Sequence, residues 1–406
     1  MTVKRTYVAL CGTTLLCASH AYAQSSVALY GIIDEGVQFI SNNKNVVNGH
    51  NVGGRQFNLD STNGINGSRW GLRGSEDLGG GLAAIFTLES GVNLNNGQLG
   101  QGGAEFGRQA FVGLSSSRFG AVTLGRQYDS VFYFVQPVST MGYDGSALFS
   151  HPGDLDNLNN SLRLNNTIRY TSPKYRGFSF GGEWSLGGQP GNITGGSGYN
   201  AGLTYANGPI TIAAAYEYFK NPTGTAGSTG FFTGNPNGAT QLSGVLNSGY
   251  ASASSYQVVT GGATYQIGNM LIGAAYSNVA YGNITALGGN TAKFNTGEIG
   301  IKYKFSPTFY AGIGYEYTKG SAVGNGAGGS VGNQHFNQLG LIADYFVSKR
   351  TDFYAGATLQ KASGISSTGA AAVANIGNLG DSSNTRQAYV RFAKTYALLI
   401  GFGRFA

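Results

Sequence analysis

Apolar and polar residues alternate along many short stretches of this chain. Ile299, Ile301, Tyr303 and Phe305 fall on one face of their stretch, and Glu298, Gly300, Lys302 and Lys304 on the other. Phe178, Phe180, Trp184 and Leu186 interleave with Ser179, Gly181, Glu183 and Ser185. Ile210, Ile212, Ala214, Tyr216 and Tyr218 interleave with Thr211, Ala213, Ala215 and Glu217, and Phe309 to Tyr317 pairs an apolar series with Glu316 and two glycines. A period of two residues marks strands with two unlike faces.

The breaks between these strands are of two kinds. Short ones occur at Asp77 to Gly81, Ser115 to Gly120, Ser172 to Gly177, Ala206 to Pro209, Ile267 to Asn269, Ser306 to Thr308 and Ser348 to Thr351. Long ones, rich in Gly, Asn, Ser and Thr, cover 41–66, 93–105, 129–162, 187–198, 220–252, 282–292, 320–334 and 363–383. The two kinds alternate, as in a meander with short turns at one end and long loops at the other. Seven short and eight long breaks make fifteen connections and predict sixteen strands, an even number as bacterial single-chain barrels require.

This all-β pattern predicts a closed transmembrane antiparallel barrel. Unpaired backbone groups are costly in lipid, so a sheet with free edges cannot span. The apolar face, with Tyr218, Tyr317 and Tyr345 near strand ends, should meet lipid and its interfaces. The face bearing Lys302, Lys304, Glu183, Glu217 and Glu316 must then line a wet interior. A sixteen-stranded barrel is too wide for side chains to fill, so it should hold an aqueous channel.

Composition removes the competing classes. The chain has 68 Gly, 25 Tyr and 23 Phe, and only 11% of its residues are charged. Apart from the N-terminal segment, no run approaches the ~20 apolar residues of a spanning helix. Glycine this frequent without a strict triplet period is not collagen, and 41% apolar residues argue against disorder.

Residues 1–23 read as a cleaved signal peptide. Lys4 and Arg5 precede a short apolar run, and Ala21-Tyr22-Ala23 is a small-x-small cleavage site. The barrel should occupy 24–406. Cys11 and Cys17 both lie in the exported segment, and the bulky Leu16 before Cys17 argues against a lipoprotein anchor. The mature chain should therefore have no disulfide or thiolate site. Without Lys4 and Arg5, 23 basic residues face 18 acidic ones, a net of +5 with no basic block of the kind nucleic acid requires.

Nothing in the spacing indicates an enzyme, a cofactor or a metal. His50, His151 and His335 are far apart in sequence, and no His, Asp and Glu spacing fits a ligand set. Gly324-Asn325-Gly326-Ala327-Gly328-Gly329 has no following helix and reads as a surface loop, not a phosphate cradle.

Several runs resemble the Gram-negative general (diffusion) porins of the beta-proteobacterial type. They are Val27 to Gly31, Ser68 to Gly79, Arg108 to Leu114, Leu124 to Asp129, His151-Pro152 through Asp154 to Asn157, and Ser348 to Thr351. The resemblance extends from residue 24 to about 360. It implies a homotrimeric, passive channel for ions and small hydrophilic solutes, set among outer-membrane lipid and lipopolysaccharide. It also implies that the third long loop folds into the lumen, its carboxylates facing arginines on the opposite wall.

On that resemblance the basic wall is Arg69, Arg108 and Arg163, and strand parity against Phe111, taken as outward, independently turns Arg108 inward. Arg73 and Arg126 read as structural. The third loop offers Asp129, Asp144, Asp154 and Asp156, of which Asp144 is the leading eyelet acid. Asp154 and Asp156 are alternatively turn formers. The loop lacks the Pro-Glu-Phe-Gly-Gly run of many members, carrying Gln136-Pro137 and Met141 to Gly145 instead. Fewer assured acids than arginines point to a weak anion preference.

The terminal phenylalanine of the family is replaced by Phe405-Ala406, and the long stretch from Gln387 suggests a bulge near Lys394-Thr395. Small residues Ala121, Thr123 and Gly125, beside Phe111 and Gly113, offer a flat outer face for trimer packing. The alternatives are a substrate-selective channel, which would need an arginine or aromatic ladder, and an adhesin or receptor barrel acting through its loops. The loops, low in charge and aromatics, read as variable surface.

Overall fold

The structure is a computed structural model describing residues 25–403 apart from 146, 224–231, 233–241 and 327. The proposed signal peptide with its cysteines, and the Phe405-Ala406 terminus, lie outside the described residues.

Sixteen antiparallel strands close into one barrel among the described residues. They are β1 (Ser26–Val47), β2 in two segments (His50–Asp60 and Arg69–Gly79), β3 (Leu82–Gly91), β4 (Gln109–Ser116) and β5 (Gly120–Gln127). Next come β6 (Leu164–Thr171), β7 (Phe178–Ser185), β8 (Gly198–Asn207), β9 (Ile210–Lys220), β10 (Ala253–Ile267) and β11 (Met270–Ile284). The last are β12 (Asn290–Ser306), β13 (Phe309–Gly320), β14 (Gln334–Ser348), β15 (Thr351–Gly364) and β16 (Arg386–Gly403). Both segments of β2 pair with the same edge of β1 and count as one strand. The barrel closes where β1 meets β16, in register from Ser26 opposite Gly403 to Ile40 opposite Tyr389.

All seven short turns fall where the pattern put them, and glycines at positive φ (Gly208 at 55°, Gly268 at 55°) make two of them. The two faces also separate as expected. Ile299, Ile301, Tyr303, Phe305, Ile313, Tyr315 and Tyr317 are exposed on the outside, whereas Glu183, Glu217, Glu298 and Glu316 are buried inside. Tyr303, Phe305, Phe309 and Tyr345 lie towards the short-turn end, and Tyr199, Tyr218 and Tyr317 towards the other, as interfacial girdles require.

Four local readings are corrected. The first long break is mostly strand: β1 and β2 continue past the barrel wall to a two-residue turn, Asn48-Gly49, leaving 61–68 as the real interruption. No bulge occurs at Lys394-Thr395, since β16 stays in continuous register with β1 from Gly403 to Tyr389. Phe111 and Gly113 share the inward phase of Gln109 and Glu89, while Val112 (60% exposed) and Leu114 (51%) face out. Across from them Thr123 is buried inside, while Val122 and Leu124 are exposed, so the outer face of β4 and β5 is branched aliphatic rather than small.

The fourth correction concerns the long loops. Leu242, Leu246 and Tyr250 from the loop after β9, and Ala372, Ala374 and Ile376 from the loop after β15, are buried. They join Phe219, Tyr256, Tyr281, Phe294 and Phe336, inward aromatics at the upper ends of the strands, in one apolar cluster. The described parts of these loops plug part of the mouth.

Candidate functional site

The third long loop, residues 128–163, folds into the barrel. Its turns Val131–Val135, Gln136–Val138 and Thr140–Asp144 lie along the inner wall. Inward glycines make room for it: Phe134 lies over Gly202 of β8, Tyr143 over Gly273 of β11, Phe149 over Gly340 of β14 and Leu148 over Gly356 of β15. A methyl group at Gly340 would stand 2.6 Å from the Phe149 ring. Polar groups fix the path. The Thr140 amide donates to Glu298 Oε1 at 3.0 Å, Thr358 Oγ1 to the Leu148 carbonyl at 2.6 Å, and Gln338 Nε2 to the Ser150 carbonyl at 2.9 Å.

Only the two ends of the loop reach the wall from β2 to β6, where the Tyr133 hydroxyl donates to Gln109 of β4 at 3.3 Å and Arg169 of β6 lies over the Tyr133 ring, and there the three predicted arginines meet. Arg69 starts the second segment of β2, Arg108 immediately precedes β4, and Arg163 immediately precedes β6. They surround Glu89 of β3. Arg108 Nε lies 2.7 Å from Glu89 Oε1, and Arg69 Nε 4.0 Å from Oε2. The Tyr128 and Tyr30 hydroxyls donate to the same carboxylate at 2.6 and 2.8 Å. The guanidinium carbons of Arg108 and Arg163 each lie 5.8 Å from the centre of the Tyr128 ring. Arg108 points inward because it belongs to the bend before the strand, so the parity reading against Phe111 does not explain it. Arg126 donates to the carbonyls of Gly107 and Arg163 at 2.8 and 3.2 Å and ties these loops to β5.

The four third-loop aspartates do not face these arginines. Asp144 is buried behind the loop beside Gly312 and Lys302, neither oxygen having a hydrogen-bond partner among the described residues. Burial raises its pKa against the pull of Lys302. Asp129 accepts from the Phe132 amide at 2.7 Å and from Asn157, and burial pushes it up to about 6. Asp154 accepts from the Asn159 and Ser161 amides at 2.9 and 3.0 Å, a turn-forming role. Asp156 lies 2.7 Å from His151 Nδ1.

A cavity of about 740 Å³ remains between the arginine wall and the loops. Among the described residues its charged lining is Arg69, Arg108, Arg163, Glu89 and Asp381. Asp381 is engaged by the Val245 amide at 3.0 Å and by Asn375 Nδ2 at 3.0 Å. Much of the rest is neutral amide, including Asn63, Asn66, Asn160, Asn247 and Asn378.

Sequence spacing missed a second cluster. His151 Nε2 lies 3.2 Å from Glu298 and 3.7 Å from Glu316, and the three ligand-type atoms lie within 4.8 Å of one another. Two of the three residues sit on strands more than a hundred positions downstream of His151, so no local spacing signals them. The group fastens the third loop to β12 and β13.

Three comparisons bear on identity. The model of the Gram-negative porin family matches residues 7–365. The chain belongs to the Gram-negative porin family. An outer membrane porin protein of Bordetella pertussis is 37% identical over 218 residues, 49% of this chain and 56% of that protein. Outer membrane porin protein 32 of Delftia acidovorans is 33% identical over 235 residues, 55% of this chain and 62% of that protein. The matches thus span less than two thirds of these curated relatives. A solved anion-selective porin from Comamonas acidovorans superposes with a TM-score of 0.67 at 23% identity, covering 92% of this chain and all of that one. The trimer form of OmpT from Vibrio cholerae gives 0.61 at 14% identity, covering 92% and 100%. This porin is a barrel of the cell outer membrane, and its relatives are channels rather than enzymes.

Among its lumen residues, Glu89 and Tyr128 escaped the sequence reading. Glu89 had a usable signal, since it shares the phase of Thr87 at the upper end of β3.

Proposed function

We propose that this porin is a general diffusion channel for small hydrophilic solutes and ions with a weak preference for anions. One observation carries the reading: the cavity lining holds three arginines against two carboxylates, while the third-loop aspartates are turned into the wall. In a narrow space bounded by low-dielectric walls, fixed charges are screened less than in bulk, so this imbalance favours anions. Arg69, Arg108 and Arg163 form the constriction. Glu89, not Asp144, Asp129, Asp154 or Asp156, is the carboxylate that shapes their field.

The working form is proposed as a homotrimer in lipid and lipopolysaccharide, with residues 1–23 removed on export. The exposed aliphatic face of β4 and β5 is a suitable packing surface. The test is liposome swelling together with planar-bilayer recording. Unrelated small sugars should enter at rates ordered by size, and insertions should come in groups of three steps. A refolded barrel that passes neither sugar nor current would exclude a pore.

A further inference from the structure

We infer that the interruption of β2, residues 61–68, is a second constriction element that sets the pore's width together with the third loop. The inference rests on the pore reading above and adds to it a segment outside the third loop.

The register shows an insertion. Gly36 of β1 faces Asp60, whereas Ile32 faces Arg69, so four steps along β1 correspond to nine along β2. Five extra residues must leave the sheet, and they leave it inward. Asp34 of β1 is buried on the inner wall, and the Asn66 amide donates to its Oδ2 at 3.2 Å. The Ile65 amide donates to the Tyr354 hydroxyl on β15 at 3.2 Å, and the Tyr389 hydroxyl on β16 donates to the Asn63 carbonyl at 3.4 Å. The insertion therefore lies over β1, β16 and β15, three strand spacings or about 14 Å of wall.

Its base is rigid. Arg391 of β16 is fully buried and donates to Asp34 Oδ1 at 2.8 Å and to the Asp60 carbonyl at 2.7 Å. The Asp60 carboxylate in turn accepts from the Thr62 and Asn63 amides at 3.0 Å. Gly64 is packed so closely on Asp34 and Tyr354 that it has no room for a side chain.

The insertion begins where the third loop stops. That loop covers the wall as far as Leu148 over Gly356 of β15, and its Gly145 meets Ile65. Together the two segments line the lumen from β7 round to β1, and the arc of β2 to β6, reached only by the two ends of the third loop, bears the arginines. Thr62, Asn63, Asn66 and Gly67 line the same cavity as Arg69. The insertion thus supplies the neutral amide edge facing the basic wall, and widening the pore requires moving two anchored segments.

Removing Thr62 to Asn66 deletes the five extra residues and restores continuous β1–β2 pairing. In the full-length protein, single-channel conductance should rise at least about 1.5-fold and larger sugars should enter liposomes. Unchanged conductance and size limit in that folded, channel-forming variant would overturn the inference. If the deletion fails to fold, Asn66→Cys gives the answer, since the only native cysteines lie in the segment proposed to be removed. A charged methanethiosulfonate reagent should lower its current stepwise, once per barrel, and labelling that leaves the current unchanged would equally overturn it. Wild-type protein that forms no channel would instead fail the pore reading itself.

Discussion

Glu89 stands among the arginines rather than opposite them, and that placement decides the field in the lumen. Glu89→Gln removes the partner of Arg108 while keeping its shape, so chloride preference should rise about twofold by reversal potential, and a fall would show that Glu89 does not face the permeating ions. His151 controls a different property, the hold on the third loop. Burial alone would lower its pKa, but Asp156 and Glu316 hold it well above the usual imidazole range. The ion pair is therefore complete at pH below ~6.5 and is lost as pH rises through the raised value. Open-channel noise should grow on alkalinisation, and His151→Asn should be noisy at every pH with little further dependence. Arg69, Arg108 and Arg163, named on the resemblance, line one cavity. The aspartates were not legible because an irregular loop has no period from which to read which way a side chain points.

At the scale of strands, alternation revealed nearly everything. The turns, the lipid face and the strand number follow from a period of two and from loop length. Phase failed on β4 and β5, where Phe111, Gly113 and Thr123 were taken as outward, and before β4, where Arg108 lies one residue ahead of its strand. The insertion in β2 was hidden because its Gly, Asn and Ser content resembles that of a loop at the mouth. Inward glycines carried a second meaning, since they are the seats of the third loop. Gly340→Ala should push Phe149 off the wall at a cost of about 1–3 kcal/mol, read as a lower unfolding midpoint and an altered conductance. A variant with wild-type midpoint and conductance would show that the loop is not seated there. Arg391→Met leaves Asp34 buried without its cation and should cost about 3–5 kcal/mol of stability. Urea unfolding followed by gel mobility measures this, and a loss under 1 kcal/mol would contradict the rigid base of the insertion.

The whole molecule is a wide barrel made narrow by its own connections. The third loop and the β2 insertion line the middle, and the loops after β9 and β15 crowd the mouth with an apolar cluster. What remains open is a passage with arginines on one side and amides on the other. A reversal potential in a tenfold KCl gradient tests this most directly, comparing wild type with the triple variant Arg69→Gln, Arg108→Gln, Arg163→Gln. Wild type should favour chloride, and the triple variant should become neutral or favour potassium. A wild-type channel that prefers potassium, or a chloride preference unchanged when all three arginines are gone, would contradict a pore whose selectivity is set by this wall.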